Sequence, residues 1–336
     1  MNKKTLSNYL LNAILIVGGY FLLTGLVSAG IIGKYHADLL IPVGFFIILA
    51  VSLNLTCGFL GQLPLGHAGF MAVGAYTSAM FTKTIQLDNT LLAFGLSLML
   101  GGLTAALFGV VVGLPALRLS GDYLAIITLG FGEIIKGILL NLNVTGGARG
   151  LKGIPKYTNL SWVYICLVLT IFIIHTLIRS RFGRAIISIR ENEIAAASCG
   201  INTTFYKTMT FAIAAFFAGV AGGLYAHYIG VLYPTTFGFS MSIEILVMVV
   251  LGGMGSITGS VISAAGLRLL PEMLRTFSDY RMVIYSLLLI AVMIFRPTGL
   301  MGRYEFSLGK SFEGFCRRLR WGTKSETPRE GGADHD

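Results

Sequence analysis

Residues 243–270 read IEILVMVVLGGMGSITGSVISAAGLRLL, and the interpretation of this stretch decides how many times the chain crosses a membrane. It is long and apolar, but glycines and hydroxyl residues interrupt it between positions 251 and 260. Glycine is unfavourable inside a helix, and a glycine-interrupted apolar segment often consists of two short helices. We therefore predict a broken helix near 251–260, with Gly252, Gly253 and Gly255 at the break.

The composition of the whole chain is that of an integral membrane protein. Of its 336 residues, 55% are hydrophobic and only 12% are charged, whereas soluble domains carry about 25% charged residues. Apolar stretches of about twenty residues recur along the sequence, which is the length that a helical span requires. Spanning β-strands need only about ten residues and alternate in polarity. The chain is therefore predicted to be an all-α polytopic membrane protein.

Nine apolar stretches qualify as spans, and splitting 243–270 raises the number to about ten. The candidate spans lie at 10–32, 39–57, 66–82, 90–114, 123–140, 161–178, 206–230, 243–270 and 282–295. Lysine and arginine concentrate at the N-terminus, in the segment after 178 and near the C-terminus, and the positive-inside rule places such regions in the cytoplasm. All three charged regions can be cytoplasmic only if 243–270 is split into two spans. Both chain termini are then predicted to be cytoplasmic. Against the rule, the loop 141–160 would lie outside with Arg149, Lys152 and Lys156.

The remaining charge and the rare residue types indicate neither nucleic acid, metal nor cofactor. The net charge of +10 lies mostly in loops and chain ends, where lipid headgroups and topology account for it. Four scattered cysteines and five histidines show no metal-ligand spacing. No P-loop with its lysine and no nucleophile elbow is present. The chain is therefore predicted not to be an enzyme.

Small and polar residues inside the spans are candidates for a transport pathway. The segment GQLPLGHAG at 61–69 is too polar and too rich in glycine for a turn that faces lipid. Glu133 falls deep in a span, where an acid is a functional candidate, although an ion pair with Lys136 one turn later would also explain it. The candidate pathway residues are Gln62, His67, Tyr76, Glu133, Gly252, Gly253 and Gly255.

A polar connection between two apolar stretches contains RENEIAAASCG at 190–200. Helix-favouring residues that end at Gly200, a plausible C-cap, predict a short helix outside the bilayer. Its small residues would fit into the groove of a partner, and Glu191 and Glu193 could pair with basic groups there. A solvated surface helix is the alternative.

Seven blocks carry a resemblance to a known family. They are NLTCGFLGQLPLGHAGFMAVGAYTSA (54–79), LRLSGDYLAIITLGFGEI (117–134), TGGARGLKGIP (145–155), GRAIISIRENEIAAASCGI (183–201), AGVAGGLYAHY (218–228), SIEILVMVVLGGMGSITGSV (242–261) and FRPTGL (295–300). In this order they resemble the membrane permease subunits of bacterial branched-chain amino acid ABC transporters, specifically the M-type partner of the H/M pair. The resemblance covers about 40–300.

The resemblance implies a mechanism and a set of partners. An H-type permease would complete a heterodimer that forms the pathway, two cytoplasmic ATP-binding subunits would drive it, and a periplasmic binding protein would deliver the substrate. The chain would then lie in the bacterial inner membrane. The resemblance also implies that the segment around 190–200 is a coupling helix that docks on the ATP-binding subunit. Its residues are Arg190, Glu191, Asn192, Glu193, Ile194, Ala195, Ala196, Ala197 and Gly200.

The resulting domain organisation has three parts, and other functions remain open. We expect an N-terminal span with its flanks at 1–38, a permease transmembrane domain at 39–302, and a partly disordered cytoplasmic tail at 303–336. Related permeases carry urea and short amides, which are alternative substrates. An ion-coupled secondary transporter would need buried acids or unwound helices near the midplane, and a passive channel would need no ATP.

Overall fold

The computed structural model describes residues 34–85, 89–116 and 121–274, with isolated positions at 18, 25, 119 and between 280 and 302. The tail at 303–336, all but two residues of the predicted span at 10–32 and half of that at 282–295 lie outside the described residues. The helices discussed below belong to one unit, Leu26–Glu305. The domain boundaries stay predictions.

The described residues are predominantly α-helical, which confirms the all-α part of the predicted fold class. The α-helices are α1 (Lys34–Asn54), α2 (His67–Thr84), α3 (Thr90–Ala116), α4 (Asp122–Asn141), α5 (Leu160–Arg179), α6 (Arg181–Glu191), α7 (Glu193–Ser198), α8 (Thr203–Ile229), α9 (Phe239–Gly252) and α10 (Ile257–Met273). A π-helical turn, Leu55–Phe59, follows α1 directly. Short 3₁₀ turns lie at Asn143–Thr145, Gly147–Arg149 and Pro234–Phe237, and β1 (Leu151–Lys152) pairs antiparallel with β2 (Val231–Leu232).

Five of the described helices are long and apolar enough to cross a membrane. They are Asp38–Phe59, Thr90–Ala116, Asp122–Asn141, Leu160–Arg179 and Thr203–Ile229. Each of them coincides with a span predicted from the sequence to within a few residues at either end. The other apolar elements are shorter, with 18 residues in α2, 14 in α9 and 17 in α10. The structure therefore shows a multi-span helical protein, while the number ten stays a prediction.

The predicted break inside 243–270 is present. Helix α9 ends at Gly252 and α10 begins at Ile257, and between them Gly253 and Gly255 have φ angles of 108° and 90°. Residues that carry a side chain rarely adopt such φ angles, so the two glycines allow the chain to turn here. The hydroxyl of Ser256 then accepts a hydrogen bond from a backbone amide of the first turn of α10 and caps it.

Helices α9 and α10 form an antiparallel hairpin around this break. A Cβ on Gly252 would lie 2.5 Å from the carbonyl oxygen of Gly259, so the two backbones touch near the turn. One turn further along both helices, the Ser263 hydroxyl donates a hydrogen bond to the Met248 carbonyl. The four residues 253–256 therefore reverse the chain, and we call them the hairpin tip.

The protein core lies where α2, α3 and α8 meet. Helices α2 and α8 approach so closely that a Cβ on Gly74 would lie 2.2 Å from the Cα of Gly219, which is the packing expected of small residues in membrane helices. The outer face of α3 instead carries exposed Leu103, Leu107 and Val111. A continuous apolar face of this kind suits contact with lipid.

Contacts between helix ends define two ends of the helical bundle. At one end, the Arg190 guanidinium donates to the carbonyl of Gly58 over 2.9 Å, which places α6, the π-turn and α7 together. At the other end, the Lys83 ammonium donates to the Lys152 carbonyl over 3.2 Å, joining the end of α2 to the loop after α4. The loop 141–160 thus lies opposite α7, as the predicted topology requires. Which end faces the cytoplasm stays a prediction.

Candidate coupling and transport site

The predicted coupling helix consists of two helices with a corner at Asn192. Helix α6 ends at Glu191, and the Asn192 side-chain oxygen accepts a hydrogen bond from the Ala195 amide over 3.0 Å, which caps α7. Helix α7 is followed by Gly200, whose φ is 83° and whose amide donates to the Ala197 carbonyl over 3.0 Å. The helix termination predicted at Gly200 is confirmed. The single helix predicted for this segment is divided, because Asn192 takes an extended conformation.

Both glutamates of this segment already have partners within the chain. Glu191 pairs with Arg190 over 2.5 Å, and Glu193 pairs with the Lys207 ammonium of α8 over 2.5 Å. Lys207 is only 4% exposed, and a buried ammonium group is costly unless a carboxylate compensates its charge. Glu193 therefore fastens α7 to α8. The predicted contact of both glutamates with a partner's basic groups stays a prediction.

The exposed surface of α7 contains one large apolar side chain among small residues. Ile194 is 81% exposed, and Ala195, Ala197 and Gly200 beside it are exposed too, whereas Ala196 is buried against the helix bundle. A single large apolar side chain surrounded by small residues is the form of an anchor that fits into a partner's groove. We call Ile194, Ala195, Ala197 and Gly200 the coupling surface.

In the middle of α4, Glu133 forms the predicted ion pair with Lys136. It also accepts a hydrogen bond from the Phe239 amide over 3.1 Å, at the first residue of α9. A carboxylate at this position stabilises the positive end of the helix dipole. The side chains of Glu133 and Lys136 are nevertheless 39% and 25% exposed. Glu133 therefore joins α4 to the start of α9, while part of the Glu133 and Lys136 side chains stays exposed.

The face of α4 that carries Glu133 differs from the lipid-suited face of α3. Gly130 and Gly137 lie on the same side as Glu133 by helical spacing, and a Cβ on either glycine would meet nothing within 4 Å. The opposite side of α4 packs on the core through Leu124, Thr128, Ile135 and Leu139. Charged residues inside spans face protein or water instead of hydrocarbon. We call Gly130, Glu133, Lys136 and Gly137 the α4 face.

Three other pathway candidates lie away from this open face. His67 is buried, with Nε2 3.0 Å from the Ser52 hydroxyl, and the buried Tyr76 hydroxyl donates to the Leu232 carbonyl over 3.3 Å. Gln62 is half-buried, and its side-chain oxygen has no hydrogen-bond partner among the residues that the structure describes. His67 and Tyr76 therefore lie between packed helices of this chain, and their place in a pathway stays a prediction.

The glycines of the hairpin tip lie next to Arg190 at the end of α6, and the sequence did not predict this contact. The Arg190 Nη1 atom would be 3.4 Å from a Cβ on Gly255. The link between them involves Asn54, which is fully buried at the end of α1 and bonds to the hairpin tip. The sequence signal for this contact was Asn54 itself, a polar amide inside an otherwise apolar run. The sequence could not show that its partners lie about two hundred positions away.

A second intramembrane ion pair was also missed. Arg268 of α10 lies 3.3 Å from Glu244 of α9, and its guanidinium carbon is 3.3 Å from the centre of the Phe46 ring on α1. Cation–π contact and charge pairing together compensate the removal of the guanidinium from water. This contact joins the two arms of the hairpin to α1.

Comparison with known proteins agrees with this architecture. Residues 35–295 match the family described as branched-chain amino acid transport system / permease component. The permease protein LivM of the high-affinity branched-chain amino acid transport system of Salmonella typhimurium (strain LT2) is 37% identical over 305 residues, covering 80% of this chain and 71% of the relative. LivM of Escherichia coli (strain K12) is 38% identical over 291 residues, covering 76% and 67%.

The H-type relatives are more distant. LivH of Salmonella typhimurium (strain LT2) is 27% identical over 290 residues, covering 77% of this chain and 92% of the relative. No solved structure matches the chain. Because the family match spans most of the sequence and the M-type relatives exceed the H-type one in identity, the chain belongs to the family of branched-chain amino acid transport permease components and resembles its M-type members.

Proposed function

We propose that this chain is the M-type permease subunit of an ATP-driven importer for branched-chain amino acids. The observation that carries the proposal is the continuous match to the permease family over residues 35–295, with M-type relatives at 37% and 38% identity. Those relatives are permease components of transport systems and not enzymes. ATP hydrolysis is therefore assigned to a separate subunit.

The partners follow from the same relationship. An H-type permease forms the second half of the membrane unit, and relatives of that type align with 77% of this chain. One of the two ATP-binding subunits docks at the coupling surface of this chain, and a binding protein docks at the opposite end of the complex. Exposure of Ile194 and its small neighbours supports the first contact, since an ATPase groove would cover an apolar anchor. The complex resides in the inner membrane, with both termini on the ATPase side.

The pathway runs along the α4 face. An amino-acid zwitterion carries both charges and cannot cross beside an unbroken apolar wall. The α4 face offers open space at Gly130 and Gly137 together with the partly exposed Glu133 and Lys136. Glu133 also contacts the start of α9, so a movement of α9 would alter the charged part of this face. Alternating access then requires α4 and α9 to change their relation during the ATP cycle.

Thiol accessibility tests the position of the pathway. In a chain whose four cysteines are replaced by serine, G130C and G137C should react with a membrane-impermeant thiol reagent in the assembled complex. The control variants L103C and L107C lie on the lipid-suited face of α3 and should stay inert, because the reagent does not enter hydrocarbon. Addition of ATP with vanadate, which traps the closed ATPase, should change the rates at positions 130 and 137.

Each outcome of this experiment decides the question. Reaction at 130 and 137 that depends on the nucleotide state supports the α4 face as the pathway wall. Complete inertness at all four positions, or equal reactivity on both faces, would contradict that assignment. The assembly of the complex is checked first by co-purification of the partner permease and the ATP-binding subunits.

A further inference from the structure

We propose that Asn54 and Arg190 form a junction that transmits movement of the coupling surface to the α9–α10 hairpin. The proposal rests on the proposed function and adds to it the route within this chain. The junction comprises Asn54 at the end of α1, Gly58 in the π-turn, Arg190 at the end of α6, and the hairpin tip. Asn54 and Arg190 are positioning residues, since they act through the elements that they join.

Asn54 holds the hairpin tip and the first turn of α10 through three hydrogen bonds. Its side-chain nitrogen donates to the Ser256 carbonyl and to the Ser260 hydroxyl, both over 2.9 Å, and its side-chain oxygen accepts from the Gly255 amide over 2.9 Å. The residue has no exposed surface. A buried amide whose donor and acceptor are both used fixes the relative position of its neighbours, because any displacement leaves buried polar groups without partners.

The backbone itself meets the hairpin tip beside Asn54. A Cβ on Gly58 would lie 2.1 Å from the Gly255 nitrogen, so the π-turn and the tip are in direct contact. Arg190 donates from Nη1 to the Gly58 carbonyl over 2.9 Å, and its Nη2 atom lies 2.5 Å from Glu191. The guanidinium therefore ties the residues before α7 to the same point. Single π-turns occur preferentially at functional sites.

The far side of the hairpin tip is held by the segment 299–302. The Leu300 amide donates to the Leu251 carbonyl over 2.8 Å, and the Met301 amide donates to the Gly252 carbonyl over 3.3 Å. These bonds satisfy carbonyls at the end of α9 that would otherwise lack partners. The hairpin tip is thus fixed between the π-turn and this segment. It cannot shift unless the elements around it shift too.

Helix α9 connects the junction to the pathway. Its 14 residues correspond to a rod of about 21 Å. One end of this rod lies at the hairpin tip, and the other receives Glu133 at Phe239. A helix is stiff over this length, so a displacement at the tip reaches the α4 face. The structure therefore links the coupling surface to the α4 face through α6, Arg190, the hairpin tip and α9.

The test uses the full complex in proteoliposomes, with the partner permease, the ATP-binding subunits and the binding protein. N54L removes all three hydrogen bonds at a fully buried position that is not part of the coupling surface. We expect normal co-purification of the ATP-binding subunits and retained basal hydrolysis. Substrate uptake per ATP hydrolysed should fall by about tenfold, which is within the usual range of coupling energies. R190A should also lower the uptake per ATP hydrolysed, because it removes the hydrogen bond to the Gly58 carbonyl.

Two control variants separate the loss of coupling from a general loss of stability. S97A removes a buried hydrogen bond of 3.1 Å between α3 and α2, away from the junction. R184A removes an exposed arginine from the same helix as Arg190. Both should keep the uptake per ATP of the unmodified chain. S260A, which removes only one of the three bonds to Asn54, should lower this ratio less than N54L.

The outcomes separate this inference from the proposed function. Suppose that the unmodified complex hydrolyses ATP and takes up substrate, and that N54L keeps the same uptake per ATP hydrolysed. The proposed role of the junction is then wrong, and the proposed function stands. An equal loss in S97A would also overturn the junction. If N54L fails to assemble, S260A decides, and an unchanged ratio in S260A counts against the proposal. Failure of the unmodified complex to couple ATP to uptake contradicts the proposed function itself.

Discussion

Ile194 is the large side chain through which the coupling surface can gain most from a partner. It is 81% exposed on a helix that lies outside the membrane spans, and Ala195 and Ala197 beside it leave room for a close approach. An exposed isoleucine in water gives no stability to the isolated chain, whereas its burial in a groove is favourable by about 2 kcal/mol. The residue therefore matters for association and not for folding.

We expect I194D to weaken the association with the ATP-binding subunit by about 2 kcal/mol or more, which is about thirtyfold in affinity. The loss arises because a carboxylate would have to enter an apolar groove without a partner. Titration of the purified membrane unit with the ATP-binding subunit measures it. V144D is the matched control, since Val144 is an exposed apolar residue at the opposite end. Equal affinities for I194D and the unmodified chain would contradict the role of Ile194.

Residues 190–200 also show which features of this surface the sequence pattern does not predict. Helix-favouring residues predicted a short helix that ends at Gly200, and they left open whether its surface meets a partner or only solvent. They did not reveal which side of the segment faces the bundle. Lys207 is buried and forms an ion pair with Glu193, and Ala196 is buried against the helix bundle. Burial of this kind depends on how α7 folds back on α8, which local sequence does not specify.

At the scale of secondary-structure elements, the α9–α10 hairpin is the feature that the sequence predicted best. Hydropathy located the stretch, and glycines with hydroxyl residues located the break, because both signals are local. The π-turn after α1, the corner at Asn192 and the contact between Asn54 and the hairpin tip were not predicted. Those features depend on packing between segments that are distant in sequence. The candidate site was accordingly predicted as separate sets of residues, and the structure joins two of them at Arg190 and Gly255.

We expect G253L to abolish uptake while the protein still inserts into the membrane. The φ angle of 108° is strained for leucine, and a Cβ would lie 2.5 Å from the Gly302 carbonyl oxygen, so the cost is about 1–3 kcal/mol or more at this one position. G266L is the matched control on the same hairpin, because a Cβ on Gly266 would meet nothing within 4 Å. Membrane abundance and substrate uptake are measured together. An active G253L variant would show that the turn tolerates side chains.

At the scale of the whole molecule, the arrangement of surfaces favours an ATP-coupled permease over the rival classes. One end carries an apolar anchor suited to a soluble partner, and the α4 face carries a charged pair in the middle of a span. Two acids of the described helices, Glu133 of α4 and Glu244 of α9, are both paired with basic groups. A proton- or sodium-coupled carrier would use such acids to bind its driving ion. Their pairing here indicates a structural role.

Uptake of radiolabelled leucine into proteoliposomes is the measurement that tests the central claim most directly. The membranes contain this chain, its H-type partner and the ATP-binding subunits, with ATP on the ATPase side and the binding protein on the other. The account predicts that uptake requires ATP, the binding protein and both permeases, and that it persists when a protonophore collapses the proton gradient at constant ATP. Uptake without ATP and binding protein would indicate a channel, and loss of uptake on adding the protonophore would indicate a secondary transporter. Either result would contradict the assignment of this chain as the permease subunit of an ATP-driven importer.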